Sequence, residues 1–399
     1  MLLVPSILLN LHSILATLPH KQTIGIIGGG QLGKMLIEAS SPYNFKYHIL
    51  ENDAHCPAAH LAEKVIVGKL TDDVKIRELA QSVDVLTYEI EHINTDTLLD
   101  LEAQGKKIIP SPKVLKIIQD KGLQKQFYTQ HGIKTAPYFV VNRTEDWTAC
   151  LAQLKGEKLA VKLCKGGYDG KGVALCNRQD LENGNYPFDA PCMVEVYIPN
   201  VRELAIIVAR DQMGDIKVFP EVEMFFNPTS NLVEFLFSPS RFNETIITEA
   251  KALALKVVES FNTAGLFAVE LFIDENNEVS VNETAPRPHN SGHHTIEAFY
   301  TSQYEQLNRI LAGYPLGDTA MIKPAAMLNI TGPTTFSGPF QLDNLTYLLK
   351  SQGVYVHLYN KQESKPHRKL GHITVLADTL ETLLEKAEAI KSHIKIIPA

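Results

Sequence analysis

"VELFIDENNEVSVNE", residues 269–283, reads as two β-strands around a polar turn, and the side chains it brings together decide the fold. With Asn276-Asn277 as a two-residue turn, Glu275 faces Glu278, and counting outward sets Glu270 directly across from Glu283. A longer even loop keeps both on one face, because strand side chains alternate with period two. Two carboxylates about 5–8 Å apart at Cβ repel and call for a cation between them. Oxygen-only ligation suits magnesium, which completes its shell with water and nucleotide phosphates. A solvated pair of surface glutamates is the alternative, but "LFAVELFI" around Glu270 is too apolar for an open face.

Upstream, "AVKLCKGGYDGKGV" (160–173) sets Lys162 inside an apolar strand and follows it with glycines at 166, 167, 170 and 172. A buried ammonium needs a counter-charge, and phosphate is the simplest. The loop lacks the spacing of a Walker loop and joins strand to strand. It reads as a flap over phosphates with Lys171 as a second cation, or as an ordinary glycine-rich hairpin. Lysines, flap and paired carboxylates on antiparallel strands together spell ATP chemistry without a Walker loop.

The N-terminal third differs. "TIGIIGGGQLGKM" (23–35) carries Gly28-x-Gly30-x-x-Gly33 after an apolar run, and strands then alternate with helix-period runs, which implies a parallel sheet wrapped by helices. Glu51 lies at the distance of a ribose-binding acid, but only about four strands fit before the pattern stops, too few for a dinucleotide fold. Dinucleotide binding, binding of another phosphorylated molecule by the helix-start amides, and a merely tight turn all remain open here. From Ala136 to Glu283 strands joined by short turns indicate an α+β unit.

The chain of 399 residues exceeds one compact core. Expected units are an N-terminal extension (1–22), a Rossmann-like parallel-sheet domain (23–118), a middle domain (119–323, flap about 136–198) and a small strand-rich C-terminal domain (324–399). Net charge near −7 argues against broad binding to nucleic acid or anionic lipid. Five cysteines without a Cys-x-x-Cys pair suggest neither a disulfide framework nor zinc, and fit a reducing cytoplasmic compartment. The apolar opening, residues 1–20, has no preceding basic residue and no small-x-small site, so it reads as an extension rather than an export signal.

"GGGQLGKM", "EIEHI", "QDKGLQK", "KGGYDGKG", "RELAIIVAR" and "NETAPRPHNSGHHT", in that order, resemble the 5-(carboxyamino)imidazole ribonucleotide synthases, ATP-grasp enzymes of purine biosynthesis. The resemblance runs from about Thr23 to the end. It implies an ATP-grasp fold with a pre-ATP-grasp domain, ATP, Mg2+ and bicarbonate as reactants or cofactors, 5-aminoimidazole ribonucleotide as acceptor, and a homodimer acting without nucleic acid or membrane. It implies that Lys121 and Lys162 meet ATP phosphates under Gly166, Gly167, Tyr168, Asp169, Gly170, Lys171 and Gly172. Glu195, Val196, Tyr197 and Ile198 would hold adenine by its edge, Glu203 the ribose, and Glu270 and Glu283 the magnesium, with Asn282 beside them. Gly30, Gln31, Leu32 and Glu89 would face the ribonucleotide, joined by Asn290, Ser291, Lys361, Arg368 and Lys369. Arg287 would grip phosphate or carboxyphosphate, and Asp169, His289 and Lys361 complete the catalytic candidates.

Three features depart from the usual family pattern: Lys121 for arginine, Phe226 for histidine, and the stretch "KPHRKLGH" (365–372) for "RPGRKMGH". The rivals are a sister ATP-grasp enzyme such as formate-dependent glycinamide ribonucleotide transformylase, a Rossmann dehydrogenase that would bind NAD, and a non-catalytic nucleotide-binding protein.

Overall fold

The computed structural model describes residues 21–167, 172–227 and 232–399. The first unit is a parallel sheet of β1 (Gln22–Ile27), β2 (Phe45–Glu51), β3 (Lys64–Val67), β4 (Val85–Tyr88) and β5 (Lys107–Ile108) in the order β3-β2-β1-β4-β5. Both faces are covered. Ile24 and Ile26 pack with Met35 and Leu36 on one side, while Ile27 and Leu50 meet Ile76, Leu79 and Leu98 on the other. Burial on both faces is why these strands read as unbroken apolar runs.

A second, antiparallel sheet is formed by β6 (Tyr138–Val141), β7 (Lys158–Leu163), β8 (Val173–Asn177) and β9 (Cys192–Val196), ordered β6-β9-β7-β8. The third and largest sheet contains β10 (Arg202–Arg210), β11 (Ile216–Val218), β12 (Val222–Phe226), β13 (Val233–Ser238), β14 (Gly265–Ile273) and β15 (Val279–Ala285). The helix Glu244–Phe261 lays Ile246, Ala250, Ala254, Val257 and Val258 against the apolar face of β10, β14 and β15. That leaves the opposite face, which carries Glu203, Glu270 and Glu283, turned toward the antiparallel flap sheet.

The strands after Ala325 do not begin a sheet of their own. β16 (Ala325–Thr331) pairs with β13, and β19 (Lys369–Leu376) and β18 (Val354–Leu358) follow, so one sheet of nine strands crosses the expected boundary. Only β17 (Phe340–Asp343) and β20 (Lys395–Pro398) stand apart as a pair. The helix Leu380–Lys391 packs Leu383, Ala387 and Ile390 onto this end of the sheet. The continuous sheet brings the basic tail to the acids of the middle domain.

Candidate active site

Glu270 and Glu283 face each other across β14 and β15 as expected, but by a different route. The connection is a five-residue loop, since Ile273 pairs with Val279. The Asp274 carboxylate accepts from the amides of Asn276 and Glu278 at 2.9 and 2.8 Å, and Asn277 takes the left-handed φ of 63°. An odd loop shifts register by one, which by itself would oppose Glu270 to Asn282. A bulge restores the pair: Leu271 faces Val281 and Glu270 faces Glu283, with Asn282 the extra residue. The expected Asn276-Asn277 turn is therefore wrong, while the facing carboxylates are right.

These acids sit in an unequal field. Lys121 is ion-paired with Glu283 Oε2 and holds that carboxyl well below the usual range. Burial, with Glu283 and Glu203 nearby, pushes Glu270 well above it. Glu203, opposite Phe272 on the same face, is raised to about 7, chiefly by burial. Lys162 projects onto this face, its Nζ 6.0 Å from the Phe272 ring centre and 3.4 Å from Asn282 Oδ1.

Glu195, expected at the adenine edge, is engaged within the protein: its side chain is 3% exposed and lies between two lysines, Lys162 Nζ at 2.6 Å and Lys125 Nζ at 2.5 Å. The amides of Val196 and Tyr197 are also spent, on Pro137 O and Lys158 O. Ile198 N–H has no hydrogen-bond partner among the described residues. Of the flap, Gly166 and Gly172 take left-handed φ values of 79° and 76°, and Leu163 N–H donates to Gly172 O, closing the loop at its base. Tyr168, Asp169, Gly170 and Lys171 lie outside the described residues.

The glycine turn is filled by the protein itself. Both oxygens of the half-buried Glu89 carboxylate accept from helix-start amides, of Gly30 and Gly33, and Glu51 Oε2 accepts from Gly29 N–H at 2.9 Å. The helix Gln31–Glu38 has no side-chain cap of its own, so Glu89 supplies the negative charge that its N-terminus favours. Of the three readings of this turn, the structure shows the helix-start amides taken by an intramolecular carboxylate. Leu32 is buried in the core and offers only backbone, whereas Gln31 is half-exposed. Lys361 approaches from the tail: burial and Arg368 push it below the usual lysine range, with Glu89 and Glu51 pulling back. Arg368 donates from Nη1 to Glu363 O at 2.9 Å, and the field of Lys369 reaches Glu270.

In "PRPHNSGH", Arg287 Nε lies 2.8 Å from Glu91 Oε1 and Nη1 donates to Pro288 O. His289 points Nε2 at Glu270 Oε1, 3.5 Å away, while Nδ1 accepts from the Ser291 amide at 3.3 Å. That acceptor role puts the neutral ring's proton on Nε2, facing the carboxylate. Asn290 and Ser291 have partners inside the protein. The Asn290 amide exchanges hydrogen bonds of 2.9 Å with Asn329, and Ser291 is fully buried against His289, so both support the loop from within. Gln303 clamps the same loop, accepting from His289 N–H and donating to His289 O. Phe226 ends β12 half-buried against the small core of Val222, Met224 and Val233.

Lys125, Glu91, Gln303 and Asn329 were not foreseen. Lys125 alone left a signal: it follows Lys121 by four residues and so shares its helix face.

A face lined by lysines and carboxylates, facing an antiparallel flap sheet and beside a parallel-sheet domain, defines an ATP-grasp protein. Family profiles agree: the ribonucleotide synthetase preATP-grasp domain matches residues 21–119, the ATP-grasp domain 126–304, and the phosphoribosylaminoimidazole carboxylase C-terminal domain 325–386. A phosphoribosylaminoimidazole carboxylase of Ogataea methanolica is 36% identical over 94% of the chain, which spans 70% of that protein. Among solved structures, the N5-carboxyaminoimidazole ribonucleotide synthetase of Thermotoga maritima matches with 38% identity and a TM-score of 0.86, over 95% of this chain and all of that one. The Aspergillus clavatus N5-carboxyaminoimidazole synthase in complex with ADP and 5-aminoimidazole ribonucleotide matches at 29% identity and 0.82, over 94% of this chain and all of that one. The chain belongs to the N5-carboxyaminoimidazole ribonucleotide synthetase family.

Proposed function

We propose that the protein carboxylates the exocyclic amine of 5-aminoimidazole ribonucleotide, using ATP and bicarbonate and releasing ADP and phosphate, as a step of purine nucleotide synthesis. The observation that carries this reading is the facing of Glu270 and Glu283 on one surface with Lys121 and Lys162, within a chain of this family.

A bicarbonate oxygen attacks the γ-phosphorus and ADP leaves. The resulting carboxyphosphate yields its carbonyl carbon to the amine as phosphate departs and the nitrogen loses a proton. Such transfer needs charge neutralisation and positioning more than a nucleophilic side chain. Lys121 and Lys162 take the nucleotide phosphates beneath the loop from Gly166 to Gly172, Ile198 N–H meets the adenine edge, and Glu203 the ribose. The hard oxygens of Glu270 and Glu283, with the Asn282 amide alongside, fit magnesium, which when bound offsets phosphate charge. Glu89, already rooted in the glycine turn, faces the ribonucleotide with Lys361, Arg368 and Lys369 around its phosphate. Arg287, once released from Glu91, holds carboxyphosphate through its planar fork. His289 Nε2 is placed to pass a proton, and Asp169 is a second candidate for that role. The flap must exclude water, because carboxyphosphate hydrolyses readily.

Five cysteines without a disulfide support a reducing, cytoplasmic setting, and no described helix is long and apolar enough to cross a membrane. A homodimer is the expected assembly, checked by light scattering. The function is tested by phosphate release that requires both bicarbonate and 5-aminoimidazole ribonucleotide. Release driven instead by glycinamide ribonucleotide and formate, or by neither, overturns the assignment.

A further inference from the structure

Lys125 has no place in the roles above, yet it is among the most deeply buried charges of the chain. Its side chain is 3% exposed, and besides Glu195 Oε1 its ammonium meets Thr135 Oγ1 at 2.5 Å and Val281 O at 3.5 Å. Thr135 Oγ1 in turn donates to Val281 O at 2.7 Å, which fixes this end of the group to β15. The other oxygen of Glu195 meets Lys162. Three charges thus form a row, positive, negative, positive, whose formal sum is +1. Lys125 and Glu195 are sealed from solvent, whereas Lys162 is 14% exposed and lies on the face of Glu203, Glu270 and Glu283. The uncancelled charge therefore emerges at Lys162.

We propose that Lys125 is a positioning residue for nucleotide binding: it satisfies Glu195, so that Glu195 can orient Lys162 without neutralising it, and leaves the Lys162 ammonium free to take a nucleotide phosphate. The inference rests on the ATP reading of this face. With an uncharged residue at 125, Glu195 and Lys162 form a closed neutral pair in a low-dielectric setting, and an incoming phosphate must compete with Glu195 for the ammonium. Of the two arrangements, only the first leaves the row itself with a charge of +1.

The test is calorimetric titration of the full chain with ADP in magnesium, together with steady-state kinetics in ATP. Lys125→Met is expected to weaken ADP binding roughly tenfold to a hundredfold and to raise KM for ATP similarly, with kcat at saturation changed far less. Lys125→Arg keeps the charge and stays within a few-fold of wild type. The double variant Lys125→Met/Glu195→Gln removes one charge of each sign, restores the sum of +1 and regains most of the affinity. Lys125→Gln drops the charge but keeps a hydrogen-bond donor for Glu195, and gives the weakened phenotype if the methionine variant does not fold. Wild-type ADP affinity in the folded methionine or glutamine variant, or a double variant no better than the single, overturns the role given to Lys125. Failure of the wild type to bind ADP overturns the nucleotide reading, and this proposal with it.

Discussion

Lys121 is ion-paired with Glu283, the carboxylate that stands across the hairpin from Glu270. The lysine supplies from the helix Lys121–Gln130 the positive charge that the two acids require. A divalent ion arriving alone must displace this ammonium, whereas one arriving with a nucleotide gives the ammonium phosphates in exchange. Metal and nucleotide binding are therefore expected to be coupled. In Mn2+ titrations followed by electron paramagnetic resonance, ADP should tighten Mn2+ binding at least tenfold, and Lys121→Met should abolish most of that dependence. Glu283→Gln should fold normally and lose on the order of a thousandfold in phosphate release. Equal Mn2+ affinity with and without ADP would count against both the pair and its exchange.

The turn at Gly28 tolerates no side chain. Its φ is 106°, and a Cβ there overlaps Glu89 Cγ. Gly28→Ala should cost about 2–4 kcal/mol in urea unfolding, combining backbone strain with displacement of the carboxylate that caps the helix. Because Glu89 already occupies the helix-start amides, a fluorescence titration should detect no NAD binding to the wild type.

His367 stands where the related motif has glycine, in "KPHRKLGH", and takes φ 62°. A non-glycine residue is strained there, while glycine is not. His367→Gly is expected to leave stability unchanged or raise it by up to about 1 kcal/mol. A loss of more than that would show that the histidine side chain stabilises the tail.

Acid sensitivity follows from buried histidines. Burial pushes His294 down to about 3 against the pull of the Ser291 backbone, and His293 and His372 shift the same way. Between the folded value and the unfolded one near 6.5, the unfolded chain holds the proton and the folded chain does not. The contribution of His294 to stability therefore rises with pH from about 3 to about 6.5 and levels off above, by up to about 1.4 kcal/mol per pH unit, and His293 and His372 act in the same sense, whereas the raised carboxyls of Glu203 and Glu270 act in the opposite sense above about 4.5. His294→Phe, which keeps the edge-on packing against Phe299, should reduce the slope of the urea midpoint between pH 4 and 6 by about one proton's worth. An unchanged slope assigns the acid sensitivity elsewhere.

How much of this could be read beforehand depends on how local each contact is. That Glu270 and Glu283 lie on the two strands of one hairpin was legible because strand propensity and a polar turn are properties of the chain itself. The five-residue loop and the bulge at Asn282 were not: each displaces the register by one, and their cancellation appears only in the paired strands. The glycine spacing at Gly28, Gly30 and Gly33 announced a close backbone approach, but not that the approaching group would be Glu89 at the end of β4.

The sequence alone determined the parallel and antiparallel units, the lysine-bearing strand, the flap and the acidic hairpin, since propensity, periodicity and turn chemistry act over a few residues. Only the tertiary structure decided that Glu195 serves Lys125 and Lys162, that Arg287 rests on Glu91, that Asn290 pairs with Asn329, and that the last strands extend the middle sheet. Those partners come from distant segments, and a buried charge or amide selects whichever complementary group the packed chain sets within reach.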